Sequence, residues 1–348
     1  MKKLSYLFLA LLGIFCGCTQ EEDTRLNPEY VTVPVTITIG ADNTLYSRAA
    51  PPTEPEVQDH SRVNQVRIIT FVRNAGSTGS FIPDPDNSAQ NVVCTNEVAR
   101  GKIRTAYGKE YRVIALGYDT TTGEQNMFTI SGNTFDSFIL TLKNPTTTIE
   151  YGNGLWTTGN MENLPTPAQP EIFYGYCHTG DNNPIISFSP GTQLTGVLHR
   201  GMAKVTVTIS SVGQGIKYFN WFAMIAETSN TQVNLSDYDN FLTPYSPSHN
   251  NLLAKVNIEN QTASNVVLSA YILPTTTKLT IRIKSKLSST DTNYYINDYI
   301  VFVSDTSSAE NATGVITPVA TNQIIQMQRN RQYKITGTYT NLINHETN

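Results

Sequence analysis

The sequence predicts an all-β protein built from antiparallel β-sandwiches, and three observations support this class. Apolar and polar residues alternate over several segments, which is the period of a half-buried strand. Glycine, proline, asparagine and serine residues, which favour turns, separate these segments. No segment shows a long, capped period of 3.6 residues, so α-helices are not expected to form the core.

The first predicted strand is the most regular one in the chain. Threonine or proline occupies every even position from 32 to 38. The loop after it contains Arg48, Ala49 and Ala50 followed by two prolines, a composition typical of an exposed, flexible and cleavable segment. Valine or isoleucine occupies every odd position, namely Val31, Val33, Val35, Ile37 and Ile39.

The same alternation predicts the later strands. The segment 203–209 is the clearest of them, with threonine and lysine between its apolar residues. Short helical turns are expected at 136–142 and 235–242. The other predicted strands cover 65–72, 110–117, 266–272, 278–283, 294–303 and 332–340.

The first residues have the pattern of a secretory signal. Two lysines precede an apolar run from Leu4 to Phe15, which is shorter than the roughly 20 residues that span a bilayer. A small residue followed by cysteine resembles the end of a bacterial lipoprotein signal, and this predicts acylation of Cys18 after removal of residues 1–17. Cys16 is the weaker candidate because it follows the bulky Phe15. The acidic residues 21–23 resemble a surface-export signal of Bacteroidetes lipoproteins.

Composition limits the partners and the number of domains. The net charge is −4 and 15% of residues are charged, which argues against binding to nucleic acid or to an anionic membrane surface. The chain after Cys18 is long enough for two domains. A segment rich in proline, glycine and asparagine at 159–191 places the boundary near residue 188. Cys94 and Cys177 remain in this part, and a disulfide between them is left open.

No pattern of catalytic or metal-binding residues appears. The five histidines lack metal-site spacing, and the chain has no nucleophile elbow, phosphate-binding loop or dinucleotide fingerprint. The segment 84–88 lacks the glycine and glutamate of a calcium loop, so a solvated turn is expected there. Trp156 is a weak candidate for stacking on a carbohydrate. The sequence therefore predicts neither an enzyme nor a cofactor or metal.

Three segments resemble the fimbrillin family of Bacteroidetes. Arg200 to Val205 matches an R-x-x-A-K-V strand that opens the second domain, and Arg329 to Ile335 matches an R-N-x-x-Y-x-I strand near the end. Asn64 to Phe71 is similar to an early strand of the first domain. The resemblance covers nearly the whole chain, although its motifs are short.

The resemblance implies two transthyretin-like, Greek-key β-sandwich domains at 49–188 and 189–348. It also implies a lipoprotein precursor whose propeptide, 18–48, contains a removable first strand. An arginine-specific protease would cut after Arg48 to leave Ala49 as the first residue; Arg25 is the weaker site because the strand would stay attached. A strand of another fimbrial subunit would then fill the opened groove. Tyr333 and Ile335 lie in the segment that such a subunit would itself donate.

The resemblance allows several roles at the cell outer membrane and surface. The expected role is a tip or accessory subunit of a fimbria with an adhesive function toward a host glycan or protein, because the segment after Arg331 holds only about one strand. A shaft subunit, a lipid-anchored subunit and a glycan-binding surface lipoprotein are the alternatives. In the last two, the first strand would stay in place permanently.

Overall fold

The chain folds almost entirely into β-structure. The computed structural model describes residues 30–40, 62–143, 147–148, 151–152, 155–156, 170–180, 183–187, 189–210, 218–236, 247–258, 265–286, 290, 292, 295–303, 311–317, 324–329 and 331–338. The helices that lie wholly within these ranges are the 3₁₀ helices Glu124–Asn126 and Phe135–Ser137. None of the described helices has the length and apolar character that a membrane crossing requires.

The strands are numbered in chain order. The first fourteen are β1 Val31–Ile39, β2 Gln65–Asn74, β3 Ile82–Pro83, β4 Gln90–Thr95, β5 Val98–Thr105, β6 Lys109–Tyr118, β7 Phe128–Ser131, β8 Ile139–Leu142, β9 Thr147–Thr148, β10 Tyr151–Gly152, β11 Leu155–Trp156, β12 Phe173–His178, β13 Ile186–Ser187 and β14 Leu194–Arg200. The others are β15 Ala203–Ser210, β16 Tyr218–Asn230, β17 Gln232–Asn234, β18 Pro247–Asn257, β19 Asn265–Ile272, β20 Thr275–Thr277, β21 Leu279–Lys286, β22 Tyr295–Val303, β23 Asn311–Thr317, β24 Ile325–Met327 and β25 Gln332–Thr338.

The first large sheet closes on itself. Its strand order is β13-β6-β12-β14-β1-β5-β4-β2-β3, and β2 also pairs with β6 along their whole length. The strands from β6 through β1 to β2 therefore form a ring around one apolar core. The predicted all-β class with antiparallel sheets is confirmed, and the closure of this sheet into a barrel is a feature that alternation alone does not predict.

The second large sheet has the order β19-β15-β25-β23-β22-β21-β16-β18-β9, and all of its strands except β9 come from β15 onward. Its strands follow the alternating pattern of the sequence; β15, for example, buries every second residue from Ala203 onward. Because β14 still belongs to the first sheet, the chain passes from one large sheet to the other between Arg200 and Ala203. The domain boundary near residue 188 stays a prediction.

The two halves of the chain share strands and a core. In a small three-stranded sheet, β17 pairs with β8, and β9 adds to the edge of the second sheet beside β18. One apolar cluster contains Phe71 and Phe138 from the first half and Val233 and Leu273 from the second. The rings of Phe71 and Phe138 meet edge to face with centroids 4.8 Å apart. The halves are therefore packed against each other through apolar side chains.

Two smaller expectations can be compared with the structure. The helical turn expected at 136–142 is wrong for most of its length, because the 3₁₀ helix ends at Ser137 and Ile139–Leu142 is a strand paired on both sides. The turn expected at 235–242 lies mostly outside the described residues. Cys94 and Cys177 are both buried free thiols, so the disulfide left open by the sequence is absent.

Candidate functional site

The candidate site is the place that β1 occupies in the first sheet. On one side β1 pairs antiparallel with β5, from Val31 opposite Thr105 to Thr38 opposite Val98. On the other side it pairs parallel with β14, from Val35 opposite Leu194 to Ile39 opposite Leu198. An inner strand of a closed sheet is thus supplied by a segment that joins the rest of the sheet through residues 41–61 alone.

The inner face of β1 forms part of the barrel core. Val33, Val35, Ile37 and Ile39 are 1%, 1%, 0% and 3% exposed, and Val31 packs against the same cluster while partly buried. The even positions face outward or toward the sheet surface. The alternation predicted from the sequence is present at each of these residues.

Three glycines lie on strands that surround the core joined by the inner face of β1, and one of them contacts that face. Gly101 in β5 stands opposite Val35, and Gly196 in β14 stands opposite Ile37. A Cβ atom placed on Gly117 in β6 would lie 3.4 Å from Ile39 Cδ1, and closer still to Val63 and Leu198. A Cβ atom on Gly101 would instead meet Ile68, and one on Gly196 would meet Cys177, so Gly117 is the one of the three that borders a buried side chain of β1.

The beginning of β1 is held by polar and aromatic contacts. The guanidinium carbon of Arg104 lies 4.5 Å from the ring centroid of Tyr30, a cation–π geometry, and the Tyr30 hydroxyl donates to Asp86 Oδ2 at 3.5 Å. The Thr105 hydroxyl donates to the carbonyl oxygen of Val31 at 3.3 Å. Tyr30 is nevertheless 43% exposed, so this end of the strand is accessible from solvent.

The loop that carries Asp86 is fixed to β5. The Asn87 side-chain amide donates to Asp84 Oδ2 at 2.6 Å and to the Arg104 carbonyl oxygen at 2.7 Å, and Asn87 Oδ1 accepts from the Arg104 N–H at 2.7 Å. The segment expected to be a solvated turn is therefore a hydrogen-bonded turn in which Asp84 and Asn87 are buried. Within the described residues, no group of histidine, cysteine or acidic side chains is placed to hold a metal ion.

The end of β1 is held by backbone hydrogen bonds on both sides. The Ile39 N–H donates to the Glu97 carbonyl oxygen at 2.8 Å, and the Gly40 N–H donates to the Leu198 carbonyl oxygen at 3.2 Å. Glu97 and its neighbour Asn96 have φ values of 62° and 50°, in the left-handed region that non-glycine residues seldom adopt. This tight turn between β4 and β5 aims the Glu97 carbonyl at the strand.

The predicted family motifs lie outside this site. Arg200 ends β14, and its Nε donates to Glu171 Oε1 at 2.5 Å, with both side chains buried. The Arg200 guanidinium also lies 5.5 Å from the Phe173 ring and 6.0 Å from the Tyr271 ring of β19. The R-x-x-A-K-V segment therefore forms the crossing between the two large sheets.

The residues predicted for strand exchange fall into two separate places. Val31 to Ile39 lie together in the first sheet, whereas Tyr333 and Ile335 lie in β25, between β15 and β23 of the second sheet. Both are 1% exposed, and the Tyr333 hydroxyl accepts from the Gln328 N–H at 2.9 Å. Cys18, Arg48 and Ala49 lie outside the described residues, as does the side chain of Trp156.

Comparisons with known proteins were made by sequence and by fold. Neither a protein-family model nor a curated protein sequence matches the chain. Solved structures similar to it include a candidate adhesin of Bacteroides ovatus, with 11% identity, a TM-score of 0.42, and coverage of 82% of this chain and 87% of the adhesin.

Two fimbrial proteins of Porphyromonas gingivalis are also similar in structure. The anchor protein Mfa2 has 12% identity and a TM-score of 0.36, with 78% of each chain covered. The tip protein Mfa3, in a C-terminally truncated form, has 10% identity and a TM-score of 0.38, with 88% of this chain and 94% of that chain covered. The similarity is one of fold alone, and the function below is argued from the geometry of β1.

Proposed function

We propose that the protein is a non-enzymatic subunit of a surface fimbria and that it accepts a β-strand from another subunit after β1 is removed. The observation that carries the proposal is the position of β1, an inner strand that closes the barrel yet is joined to it through residues 41–61 alone. Cleavage after Arg48 would leave β1 held by non-covalent contacts only. A strand of another chain would then replace it.

The energy of burial explains why the groove would not stay empty. Four side chains of β1 are almost fully buried, and each contributes roughly 1.5–3 kcal/mol when it leaves water. Their sum approaches the whole stability of a typical domain, about 5–15 kcal/mol. Loss of β1 would also leave backbone groups of β5 and β14 without partners. The cleaved protein is therefore stable only while a strand occupies the groove.

Strand addition suits this geometry. Backbone hydrogen bonds to two neighbouring strands would provide the affinity, and alternate side chains in the core would fix the face that the new strand presents. The accepted strand would come from another fimbrial subunit. An arginine-specific protease is the proposed trigger, and Arg48 with Ala49 is the proposed cleavage site.

The tip or accessory role is supported by the position of β25. This strand pairs with β15 and β23 at once, so donating it would open the second sheet of the same molecule. A subunit that accepts a strand but keeps its own would stand at the end of a fimbria, where an adhesive role toward a host glycan or protein is expected. A shaft subunit would instead have to donate β25 to the next molecule.

Export to the cell outer membrane is proposed to depend on lipid at Cys18. Several acyl chains on one cysteine would hold the precursor at a membrane, since each buried CH₂ contributes about 0.8 kcal/mol. Metabolic labelling with a fatty acid should mark the precursor but not the Cys18→Ala variant. Labelling that is lost only in Cys16→Ala would contradict the choice of cysteine.

Digestion followed by strand exchange tests the proposed function. Full-chain protein treated with an arginine-specific protease should yield a chain that starts at Ala49, and a fluorescent peptide of residues 29–40 should then enter the groove in exchange for β1. Arg48→Ala should prevent both events, whereas Arg25→Ala should prevent neither. An intact, exchange-free protein after digestion would contradict the proposal and favour a surface lipoprotein that keeps β1 permanently.

A further inference from the structure

The groove that β1 fills is lined by different residues at its two ends: Gly117 lies near Ile39, whereas Arg104 and Asp86 contact Tyr30. We propose that the emptied groove selects a strand of another chain that carries an aromatic residue and an isoleucine nine positions apart, with aliphatic residues at the third, fifth and seventh positions between them. This inference rests on the proposed function and specifies the chemistry of its partner. The positions correspond to Tyr30, which directly precedes β1, and to Ile39, the last residue of β1.

The isoleucine end is shaped by Gly117. A Cβ atom at this position would lie 3.0 Å from Val63 Cγ1, 3.2 Å from Leu198 Cδ1 and 3.4 Å from Ile39 Cδ1. Gly117 is not among the glycines with positive φ, so its backbone does not require glycine. Space is the remaining reason for a glycine here: a Cβ atom would press on Val63 and Leu198 at this end of the groove and would come to contact distance of the Ile39 δ-carbon.

The aromatic end is shaped by Arg104 and Asp86, which contact the ring and the hydroxyl of Tyr30. Both groups belong to segments that Asn87 ties together through its bonds to the Arg104 backbone and to Asp84. These bonds do not involve β1. Arg104 and Asp86 would therefore keep their positions when β1 leaves, and the aromatic site would be preorganised for the next strand.

The two ends together fix the register of the incoming strand. A slip of one residue would turn the aliphatic face outward, which the core already excludes. A slip of two residues would keep the faces but move each side chain by about 6.6 Å along the groove. The aromatic ring would then miss Arg104, and another residue would meet Gly117. The contacts at the two ends of the groove therefore exclude the two-residue shift, which the alternation of apolar and polar side chains alone would allow.

The chain's own C-terminal segment does not fit this pattern. With Tyr333 in the aromatic site, the ninth position would be Leu342 rather than isoleucine. The third, fifth and seventh positions would be Thr336, Thr338 and Thr340. Threonines at all three buried positions would place hydroxyl groups in an apolar core, which is unfavourable without hydrogen-bond partners. In this register the C-terminal segment does not supply the fitting strand, and we expect a different protein to donate it.

Competition between peptides tests the selection. The full-chain protein is cleaved at residue 48, or at a site-specific protease sequence placed there if Arg48 resists, and loaded with a fluorescent peptide of residues 29–40. Unlabelled peptides with Tyr30→Ala, Tyr30→Phe or Ile39→Val then compete with it. Ile39→Val should compete roughly 2- to 10-fold less well than the parent peptide. Tyr30→Ala should lose roughly 2- to 5-fold and Tyr30→Phe less.

Protein variants show whether the named residues cause the selection. Gly117→Ala should weaken the preference for isoleucine over valine, because the added Cβ atom would push Val63 or Leu198 toward the place of the isoleucine δ-carbon. Gly180→Ala should retain it, because a Cβ atom added at Gly180 would have no neighbouring atom within 4 Å. Arg104→Gln should abolish the preference for an aromatic residue at the first position. The Arg104 side chain is on the exposed face of β5, so Arg104→Gln is expected to fold. This second variant therefore still tests the selection if Gly117→Ala does not fold.

The outcomes separate this inference from the proposed function. If all peptides displace the label equally well, the groove accepts strands without the proposed selection, and the inference is wrong while strand exchange stands. If no peptide enters the cleaved protein, strand exchange itself is wrong. Preferences that persist in both Gly117→Ala and Arg104→Gln would show that other residues select the strand.

Discussion

At the scale of single residues, the reactivity of the Cys177 thiol is expected to show whether β1 occupies its position in the barrel. Its thiol is fully buried, burial raises its pKa to about 12, and Gly196 is the residue between it and Ile37 in the sheet. In the intact protein the thiol is therefore covered and protonated at pH 8, where thiolate is the reactive form. We expect displacement of β1 to open the core that Cys177 shares with it and to lower the thiol pKa toward its ordinary value of about 8.5.

We expect a thiol reagent to modify Cys177 slowly in intact protein and rapidly after digestion and dilution, when β1 can dissociate. Burial also raises the pKa of Cys94, which belongs to the same core, so Cys94→Ser assigns the signal to Cys177. Protein that starts after Cys18 removes the other cysteines from the assay. Equal rates before and after digestion would mean that the core stays closed without an intact chain.

Single residues also show how far the sequence predicts the site. The alternation from Val31 to Ile39 predicts the buried face correctly because the directions of a strand's side chains depend on local geometry alone. The roles of Gly101, Gly117 and Gly196 depend on strands that are distant in sequence. Isolated glycines inside strands do indicate a close approach of neighbouring groups, and this is the signal that the sequence offers for them. The contact of Tyr30 with Arg104 carries no such signal.

At the scale of elements, the position of Pro34 in β1 agrees with the backbone hydrogen bonds between β1 and its two neighbouring strands. The Ile39 N–H points to β5 and the Gly40 N–H to β14, so even-numbered N–H groups of this strand face β14. β14 pairs with β1 only from Val35 onward. The hydrogen missing from Pro34 therefore faces a position where the described chain has no paired strand, and the proline costs no ladder hydrogen bond.

Moving this proline along the strand should be costly. Thr36 faces β14 at Thr195, so Thr36→Pro removes a ladder hydrogen bond and leaves a buried carbonyl group unpaired, at a cost of about 1–3 kcal/mol. Pro34→Thr is the matched control and should change the free energy of unfolding by less than about 1 kcal/mol. Denaturant unfolding measures both. Equal destabilisation by the two variants would contradict the described pairing.

The elements around β1 are harder to predict than β1 itself. β5 contains two arginines, a lysine and a glycine, so its alternation is weak, and it is not among the predicted strands. β8 is a four-residue strand whose partner β17 lies about ninety residues later. Short or charged strands are stabilised by pairing with strands that are distant in the sequence, and the local pattern of residues does not predict that pairing. The sequence therefore predicts β1 better than it predicts the strands that surround β1.

At the scale of the whole molecule, the two large sheets are not independent. Strands β9 and β17 and the shared cluster around Phe71 and Val233 connect the halves. The buried pair of Arg200 and Glu171 lies at the crossing between sheets. Composition places the predicted domain boundary near residue 188. The large sheets change between Arg200 and Ala203, because hydrogen bonding decides which sheet a strand joins.

The behaviour of the cleaved protein on its own depends on both sheets. Self-assembly would require one molecule to donate β25 to the groove of another. β25 is paired over Gln332–Thr338 with β15 and buries Tyr333 and Ile335, so its removal would cost the second sheet about as much as loss of β1 costs the first. Cleaved protein incubated alone should therefore remain monomeric, with β1 retained or re-bound, as measured by size-exclusion chromatography with light scattering.

The same material should form a complex once a subunit or peptide with the matching strand is added, and Arg48→Ala protein should not. A ladder of oligomers from cleaved protein alone would assign the shaft role instead. In that case Ile335→Asp would distinguish the source of the strand: it should abolish the ladder if β25 is donated and leave it unchanged if another segment is. Because β25 lies between two strands of its own sheet while β1 is joined to the barrel through residues 41–61, we expect a molecule that receives a strand and does not give one.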